Sequence, residues 1–93
     1  MKIFKWNTEK NEWLYQNRGI TFEEVVQKLE AGAHYVETDH PNSKKYPNQK
    51  VIFVVIEGYV YLVPCVINGK EYFLKTIIPS RKATKKYMGG KHE

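Results

Sequence analysis

The chain has 93 residues, of which 42% are hydrophobic and 14% aromatic, so it can form one small domain and is too apolar for a disordered protein. Its single cysteine, Cys65, excludes an intramolecular disulfide, which is typical of a reducing compartment. The longest apolar run, residues 51–56, is too short to span a bilayer, and the N-terminus lacks the apolar core of a signal peptide. We therefore expect a single domain over residues 1–93, located in the cytoplasm, with no membrane partner.

The net charge of +5 is concentrated towards the C-terminus. Residues 1–69 contain eight basic and eight acidic side chains, whereas residues 70–93 contain seven basic and two acidic side chains. Such an excess is expected of a protein that binds a phosphate backbone. A basic tail that only aids solubility has the same composition, so charge alone leaves both interpretations open.

The N-terminal segment predicts a strand followed by a helix. Residues 2–6, KIFKW, alternate apolar and basic side chains, as a short strand does. A helical stretch then opens at Asn7 or Thr8, continues through Tyr15 and ends at Gly19.

A second helix has the clearest start signal in the chain. In TFEE, residues 21–24, the Thr21 hydroxyl can accept from the Glu24 backbone while the Glu24 carboxylate reaches back, which forms a capping box. Ile20 and Val25 stand at the positions of a hydrophobic staple, and Gly32 provides the C-terminal stop.

The rest of the chain predicts an antiparallel sheet of about four strands and a short basic helix. A loop rich in Pro, Asn and Ser, residues 39–50, interrupts the strands, and the run 51–56 is apolar enough to be buried on both faces. The fold class is therefore α+β. The predicted strands are residues 34–38, 51–56, 59–67 and 70–78.

The dipeptide Asn68-Gly69 is a strong hairpin signal between the last two strands. A two-residue turn there would pair Ile67 with Lys70 and, further on, Cys65 with Tyr72. Tyr61 would then pair with Thr76, and Lys75 would share a face with Leu62 and Ile77. Pro64 interrupts this pattern, because a proline cannot donate to a ladder in a central strand. A bulge at Pro64 would exchange the faces beyond it, which leaves the direction of Lys75 open.

The segment IIPSRKATKKYMGG, residues 77–90, predicts a helix with a cationic side. At 100° per residue, its four cations occupy an arc of roughly 140°. Two of them, Arg81 and Lys82, lie in the first turn, where the helix dipole disfavours cations by about 0.3–1 kcal/mol each. The cationic side consists of Arg81, Lys82, Lys85 and Lys86, and the opposite, packing side of Ala83, Thr84, Tyr87 and Met88.

This arrangement favours an anion-binding site, with the backbone N–H groups of residues 80–83 assisting Arg81 in holding a phosphate. A solvated lysine-rich face is the alternative. Tyr59 and Tyr61 could stack on bases, although strand tyrosines are also common in cores. His34 and His40 have no Cys or His partner at a metal-ligand spacing, and His92 stands in a tail that we expect to fray, so we predict no metal and no cofactor.

Three segments resemble the BrnT-type toxins of the RelE/ParE superfamily. These are residues 4–11, FKWNTEKN, residues 18–25, RGITFEEV, and residues 77–87, IIPSRKATKKY. Arg18 stands where that family commonly has a histidine, and Thr76 where it often has an arginine. Lys75 is displaced from the latter position by one residue.

The resemblance implies a RelE-like fold and the toxin of a toxin–antitoxin pair, which cleaves RNA through attack by the RNA's own 2′-hydroxyl, without a metal. It also implies a cognate antitoxin with a ribbon-helix-helix DNA-binding part. On this basis Arg81 carries over as a catalytic residue that holds the scissile phosphate, and Lys75 substitutes for a second cation. Lys82, Lys85 and Lys86 would position the RNA.

Two other functions are compatible with the same residues. One is a non-catalytic interaction domain that uses the basic face to bind nucleic acid or an acidic partner protein, which would show as salt-sensitive binding without RNA fragments. The other is a structural module whose charge only improves its solubility.

Overall fold

A computed structural model of the chain describes residues 2–33 and 35–87. These residues form an α+β domain, as predicted, with helices and strands of one mixed sheet. None of the described helices has the length and apolar composition needed to cross a membrane. The elements are β1 (Ile3–Trp6), α1 (Thr8–Arg18), α2 (Phe22–Glu30), β2 (Tyr35–Asp39), β3 (Gln49–Ile56), β4 (Tyr59–Asn68), β5 (Glu71–Leu74), β6 (Ile78–Pro79) and α3 (Arg81–Tyr87).

The sheet has more strands than the sequence predicts, and one pair is parallel. Its order is β1-β5-β4-β3-β2, with β6 beside β4 at the end that β5 leaves free. The pair β1 and β5 is parallel, whereas the other pairs are antiparallel. The prediction of an antiparallel sheet of about four strands is therefore wrong in two respects: β1 joins the sheet, and the predicted strand 70–78 divides into β5 and β6.

The turn between β4 and β5 differs by one position from the predicted one. Asn68 pairs with Glu71, so the turn residues are Gly69 and Lys70 rather than Asn68 and Gly69. Gly69 has φ 63°, and a glycine with positive φ at the first turn position is the requirement of a type II′ turn. The pairing therefore shifts by two residues, which keeps every side chain of the hairpin on its predicted face.

A bulge separates β5 from β6. Cys65 pairs with Leu74 and Leu62 pairs with Ile78, so residues 75–77 contain one residue more than the facing stretch of β4. The backbone N–H of Lys75 donates to the Pro64 carbonyl at 2.8 Å, which places the bulge where the proline interrupts the ladder. The predicted pair of Tyr61 with Thr76 is wrong, because Tyr61 pairs with Pro79.

The bulge also changes the surroundings of Ile77. This residue is fully buried in the core beneath the helices, whereas Leu62 pairs with the exposed Ile78 on the other face. Of the two arrangements that the sequence allows, the bulged one is confirmed: one extra residue exchanges the two faces, so Ile77 and Leu62 do not share a face.

The main core lies between one face of the sheet and the helices α1 and α2. The capping box at the start of α2 forms as predicted, and Ile20 and Val25 are both buried. In β3 only alternate residues are fully buried, so the prediction that this strand is buried on both faces is wrong. The core residues are Leu14, Ile20, Phe22, Val25, Ile52, Val54, Ile56, Val63, Cys65, Tyr72, Leu74 and Ile77.

Candidate nucleic-acid interface

Helix α3 is fixed to the second face of the sheet through Val60 in β4. The Ser80 backbone N–H donates to the Val60 carbonyl at 3.0 Å, and the Val60 N–H donates to the Thr84 hydroxyl at 2.9 Å. That hydroxyl in turn donates to the Ser80 carbonyl at 2.7 Å. Ala83 is buried against the sheet, as the predicted packing side requires. The start of α3 is therefore held by both backbone groups of one strand residue.

The predicted cationic side of α3 is exposed to solvent. Arg81, Lys82, Lys85 and Lys86 are all exposed, and we call these four residues the α3 cationic face. The side chain of Tyr87 and residue Met88, predicted on the packing side, lie outside what the structure describes.

The α3 cationic face has no carboxylate partner among the described residues. The ion pairs among the described residues join Lys5 to Glu71 at 3.0 Å and Lys50 to Asp39 at 2.6 Å, and neither pair includes a residue of α3. Like charges on one helix face repel each other, so an external anion would stabilise this arrangement.

The backbone contributes less to anion binding than the sequence suggests. Of the N–H groups of residues 80–83, that of Ser80 is bound to Val60 and that of Ala83 donates to the Ser80 hydroxyl at 3.0 Å. The prediction that all four N–H groups assist Arg81 is therefore wrong. The affinity of this surface for an anion must come chiefly from its four side chains.

A groove between α3 and the sheet adjoins the cationic face. It encloses about 370 Å³. Its lining includes the apolar side chains of Phe53 and Leu62 and the basic residues Lys82 and Lys86. A lining of both basic and apolar residues suits a single strand of nucleic acid, because cations can bind its phosphates and apolar side chains can contact its bases.

Lys75 is not close to the start of α3. Its backbone lies against Pro64, whereas Ser80 lies against Val60, four residues away on the same strand. At 3.3 Å per residue this separation is roughly 13 Å. The side chain of Lys75 is exposed. The backbone therefore does not bring Lys75 and Arg81, the two predicted catalytic cations, to one point.

Other candidate chemistry is weak in the described residues. Burial raises the pKa of the Cys65 thiol to about 11, which suits a core residue and not a nucleophile. No group of three or more His, Cys, Asp or Glu side chains there could hold a metal ion. His40 accepts a hydrogen bond from the Asn42 backbone at 2.9 Å, whereas His34 and His92 lie outside the described residues.

A second cleft lies on the opposite face of the sheet, where α1 ends. We call it the Arg18 cleft; its volume is about 440 Å³. In the sequence Arg18 stands out only as a departure from a family pattern, and Glu57 does not stand out, because no local pattern shows that α1 ends beside the β3–β4 turn. The cleft is lined by Arg18, Ile56, Glu57, Tyr59, Tyr61 and Pro79.

Comparisons of the chain with protein-family models, with curated proteins and with solved structures each found no significant match. The resemblance to the BrnT-type toxins and the RelE-like fold that it implies therefore stay predictions from the residues.

Proposed function

We propose that this protein is a toxin that binds RNA and cleaves it without a metal, through attack by the RNA's own 2′-hydroxyl on the adjacent phosphate. The observation that carries the proposal is the α3 cationic face, because four exposed cations on one helix have no carboxylate partner in the described residues. A polyanion would relieve their repulsion.

Arg81 is the residue that we assign to the scissile phosphate. A guanidinium can donate two parallel hydrogen bonds to phosphate oxygens and stabilise the charge that develops on them during cleavage. Arg81 is exposed at the first position of α3, and the contacts of Ser80 and Thr84 with Val60 fix the backbone beside it. Lys82, Lys85 and Lys86 would bind neighbouring phosphates. The distance of Lys75 from the start of α3 suits a contact with a phosphate further along the RNA strand.

We also propose that a cognate antitoxin, with a ribbon-helix-helix DNA-binding part, neutralises the protein. An acidic segment of that partner lying on the α3 cationic face would compete with RNA for the same four side chains.

Induced expression in a bacterial host tests the proposal, followed by mapping of RNA ends. We expect growth arrest and new RNA ends with the wild-type chain, and neither with Arg81→Ala. Lys44→Ala is the matched control, because it removes one exposed cation from the loop between β2 and β3. Equal toxicity of the wild type and Arg81→Ala would refute the assignment of Arg81.

A non-catalytic RNA-binding domain is the second candidate, and the separation of Lys75 from Arg81 favours it. Binding to labelled single-stranded RNA should then weaken with salt, and each phosphate contact removed should lower the slope of log K against log salt by about 0.7. Lys82→Ser, Lys85→Ser and Lys86→Ser would show this graded loss. Tight, salt-sensitive binding without any new RNA ends would select this candidate over the nuclease.

A further inference from the structure

The Arg18 cleft contains an aromatic pair. Tyr59 and Tyr61 are two residues apart in β4, so both side chains lie on the same face of the sheet. Their ring centroids are 5.7 Å apart with the ring planes at 58°, and both residues are only half-buried. Tyrosine rings at the wall of an open cleft can stack on a nucleobase.

A cation, Arg18, lines the same cleft, and two contacts hold its guanidinium. The Arg18 guanidinium donates to the Ile77 carbonyl at 2.5 Å and lies 5.1 Å from the centre of the Trp13 ring. A guanidinium has five N–H donors, so most of them are not used by Ile77. No carboxylate pairs with Arg18 in the part of the chain that the structure describes. Its remaining donors can bind a phosphate.

The acidic residue of the cleft is held in an unusual backbone conformation. Glu57 has φ 52° and is followed by Gly58 with φ 78°, as a type I′ turn between β3 and β4 requires. Asn, Asp and Gly are the residues that suit the first position of this turn, whereas a glutamate there costs about 1 kcal/mol or more. A strained residue beside a cleft is a reason to look for a ligand contact.

The Arg18 cleft and the α3 cationic face are adjacent around the edge of the sheet. Pro79 lines the cleft and precedes Arg81 by two residues, so their Cα atoms are at most about 7 Å apart. Among the described strands, β6 pairs only with β4, so it forms an edge there. A strand of RNA bound by Arg81 can therefore pass over β6 into the cleft.

We propose that the Arg18 cleft binds one nucleotide of the RNA strand and prefers guanine. The base stacks on the Tyr59 ring and meets the tilted Tyr61 ring at its edge. Arg18 binds the adjoining phosphate, and the Glu57 carboxylate accepts hydrogen bonds from the base. Guanine has two neighbouring donors on its Watson–Crick edge, N1–H and the N2 amino group, which match the two oxygens of a carboxylate. Adenine and cytosine each offer one amino group and uracil a single N–H. This inference rests on the proposed RNA-binding function.

Fluorescence anisotropy with labelled heptamers tests the proposal on the full chain. The sequences are UUUGUUU, UUUAUUU and UUUUUUU, with 2′-fluoro sugars, which lack the attacking hydroxyl and so allow binding to be measured without cleavage. We expect the guanine heptamer to bind roughly 5- to 150-fold more tightly than the other two, the range for one two-point base contact.

Two variants separate the roles of the cleft residues. Glu57→Gln should remove the preference for guanine, because an amide presents one acceptor and one donor in place of two acceptors. Tyr59→Leu should weaken binding of all three heptamers by roughly 5-fold or more, the lower range for one stacked base. Tyr15→Leu is the matched control, since Tyr15 is 66% exposed on α1 and does not line the cleft.

Lys85→Ser, on the α3 cationic face, separates this proposal from the proposed function. If Lys85→Ser weakens binding but Tyr59→Leu and Glu57→Gln leave affinity and base preference unchanged, the nucleotide cleft is refuted and the RNA-binding function stands. If the wild-type chain binds no heptamer at low salt, both proposals fail. A guanine preference that disappears with Glu57→Gln supports the cleft.

Discussion

The Arg18 guanidinium donates a hydrogen bond to the carbonyl oxygen of Ile77, a residue 59 positions later in the chain. This contact joins the last residue of α1 to the segment that leads into β6 and α3. The position of the α3 cationic face is thereby coupled to the helix pair on the other side of the sheet.

We expect Arg18→Met to lower the free energy of unfolding by about 1.5–3 kcal/mol, because it removes a hydrogen bond made by a charged donor to a half-buried carbonyl. Urea unfolding followed by circular dichroism measures the change. Lys10→Met is the control, since the Lys10 ammonium lies 4.4 Å from the same Trp13 ring, a contact worth about 0.5–1 kcal/mol. Equal losses in the two variants would show that the Ile77 bond contributes nothing measurable.

The Thr84 hydroxyl gives a second test of how α3 is held. Thr84→Val keeps the shape of the side chain but leaves the Val60 N–H without the acceptor that it has at 2.9 Å. We expect a loss of about 1–3 kcal/mol, together with weaker RNA binding although no charge has changed. Thr84→Ser retains the hydroxyl and should keep most of the stability and most of the RNA affinity. The prediction is wrong if the Thr84→Ser and Thr84→Val variants have the same stability and the same RNA affinity.

Local patterns predicted much of this fold. The capping box of Thr21 and Glu24, the helix bounded by Asn7 and Gly19, and the outward direction of the α3 cations are all confirmed. Each depends on residues within one or two turns of each other, where backbone geometry limits the choices.

The wrong predictions concern the strand pairing and the turn position, which depend on residues far apart in the chain. Asn68-Gly69 and Gly69-Lys70 are both acceptable two-residue turns, and the pairing across the whole hairpin selects between them. Pro64 indicated a bulge without fixing its position in the partner strand. Tyr59 and Tyr61 stood out as possible base-stacking residues, but the Arg18 cleft was not predictable. Its other residues come from α1, the end of β3, the β3–β4 turn and β6, which only the folded chain brings together.

Asn11 links the two N-terminal helices. Its side-chain oxygen accepts from the Phe22 backbone N–H at 2.7 Å, and its amide nitrogen donates to the Glu23 carboxylate at 2.7 Å. Asn11→Ala should therefore cost about 1–2 kcal/mol, as the loss of a helix cap does, and should speed hydrogen exchange at Phe22. Asn17→Ala is the control, because within the described residues that side chain bonds to the Trp13 carbonyl of its own helix and to no other element. A cost no larger than that of the control would exclude this capping role.

Stability should fall at alkaline pH because of Cys65. Its thiol has an ordinary pKa of 9.0, and burial, followed by the nearby Glu37 carboxylate, raises that pKa to about 11 in the folded chain. Between these values the unfolded chain has lost a proton that the folded chain keeps, so rising pH favours unfolding. The free energy of unfolding should decline above pH 9 and this contribution should level off above pH 11.

Urea unfolding from pH 7 to pH 10.5 measures this decline. Burial also raises the pKa of Tyr72, whose contribution has the same sign at higher pH. Cys65→Ala is the informative variant: it should be less stable at pH 7, because it leaves a small cavity, and should lose less stability between pH 8 and pH 10. If the free energy of unfolding falls equally with pH in the wild type and in Cys65→Ala, then Cys65 does not cause the decline.

The conformation of Glu57 predicts opposite effects of one substitution on stability and on recognition. Asn tolerates positive φ and with Gly58 forms the Asn-Gly pair typical of a type I′ turn. Glu57→Asn should therefore raise the free energy of unfolding by about 0.5–1 kcal/mol, and the melting temperature by about 2–8 °C, while it removes the preference for guanine. Glu57→Gln is the matched control, because it loses the carboxylate but remains as strained as glutamate. It should lose the preference without gaining stability. If Glu57→Asn gains stability and keeps the guanine preference, the strain at Glu57 is real but does not serve the proposed contact.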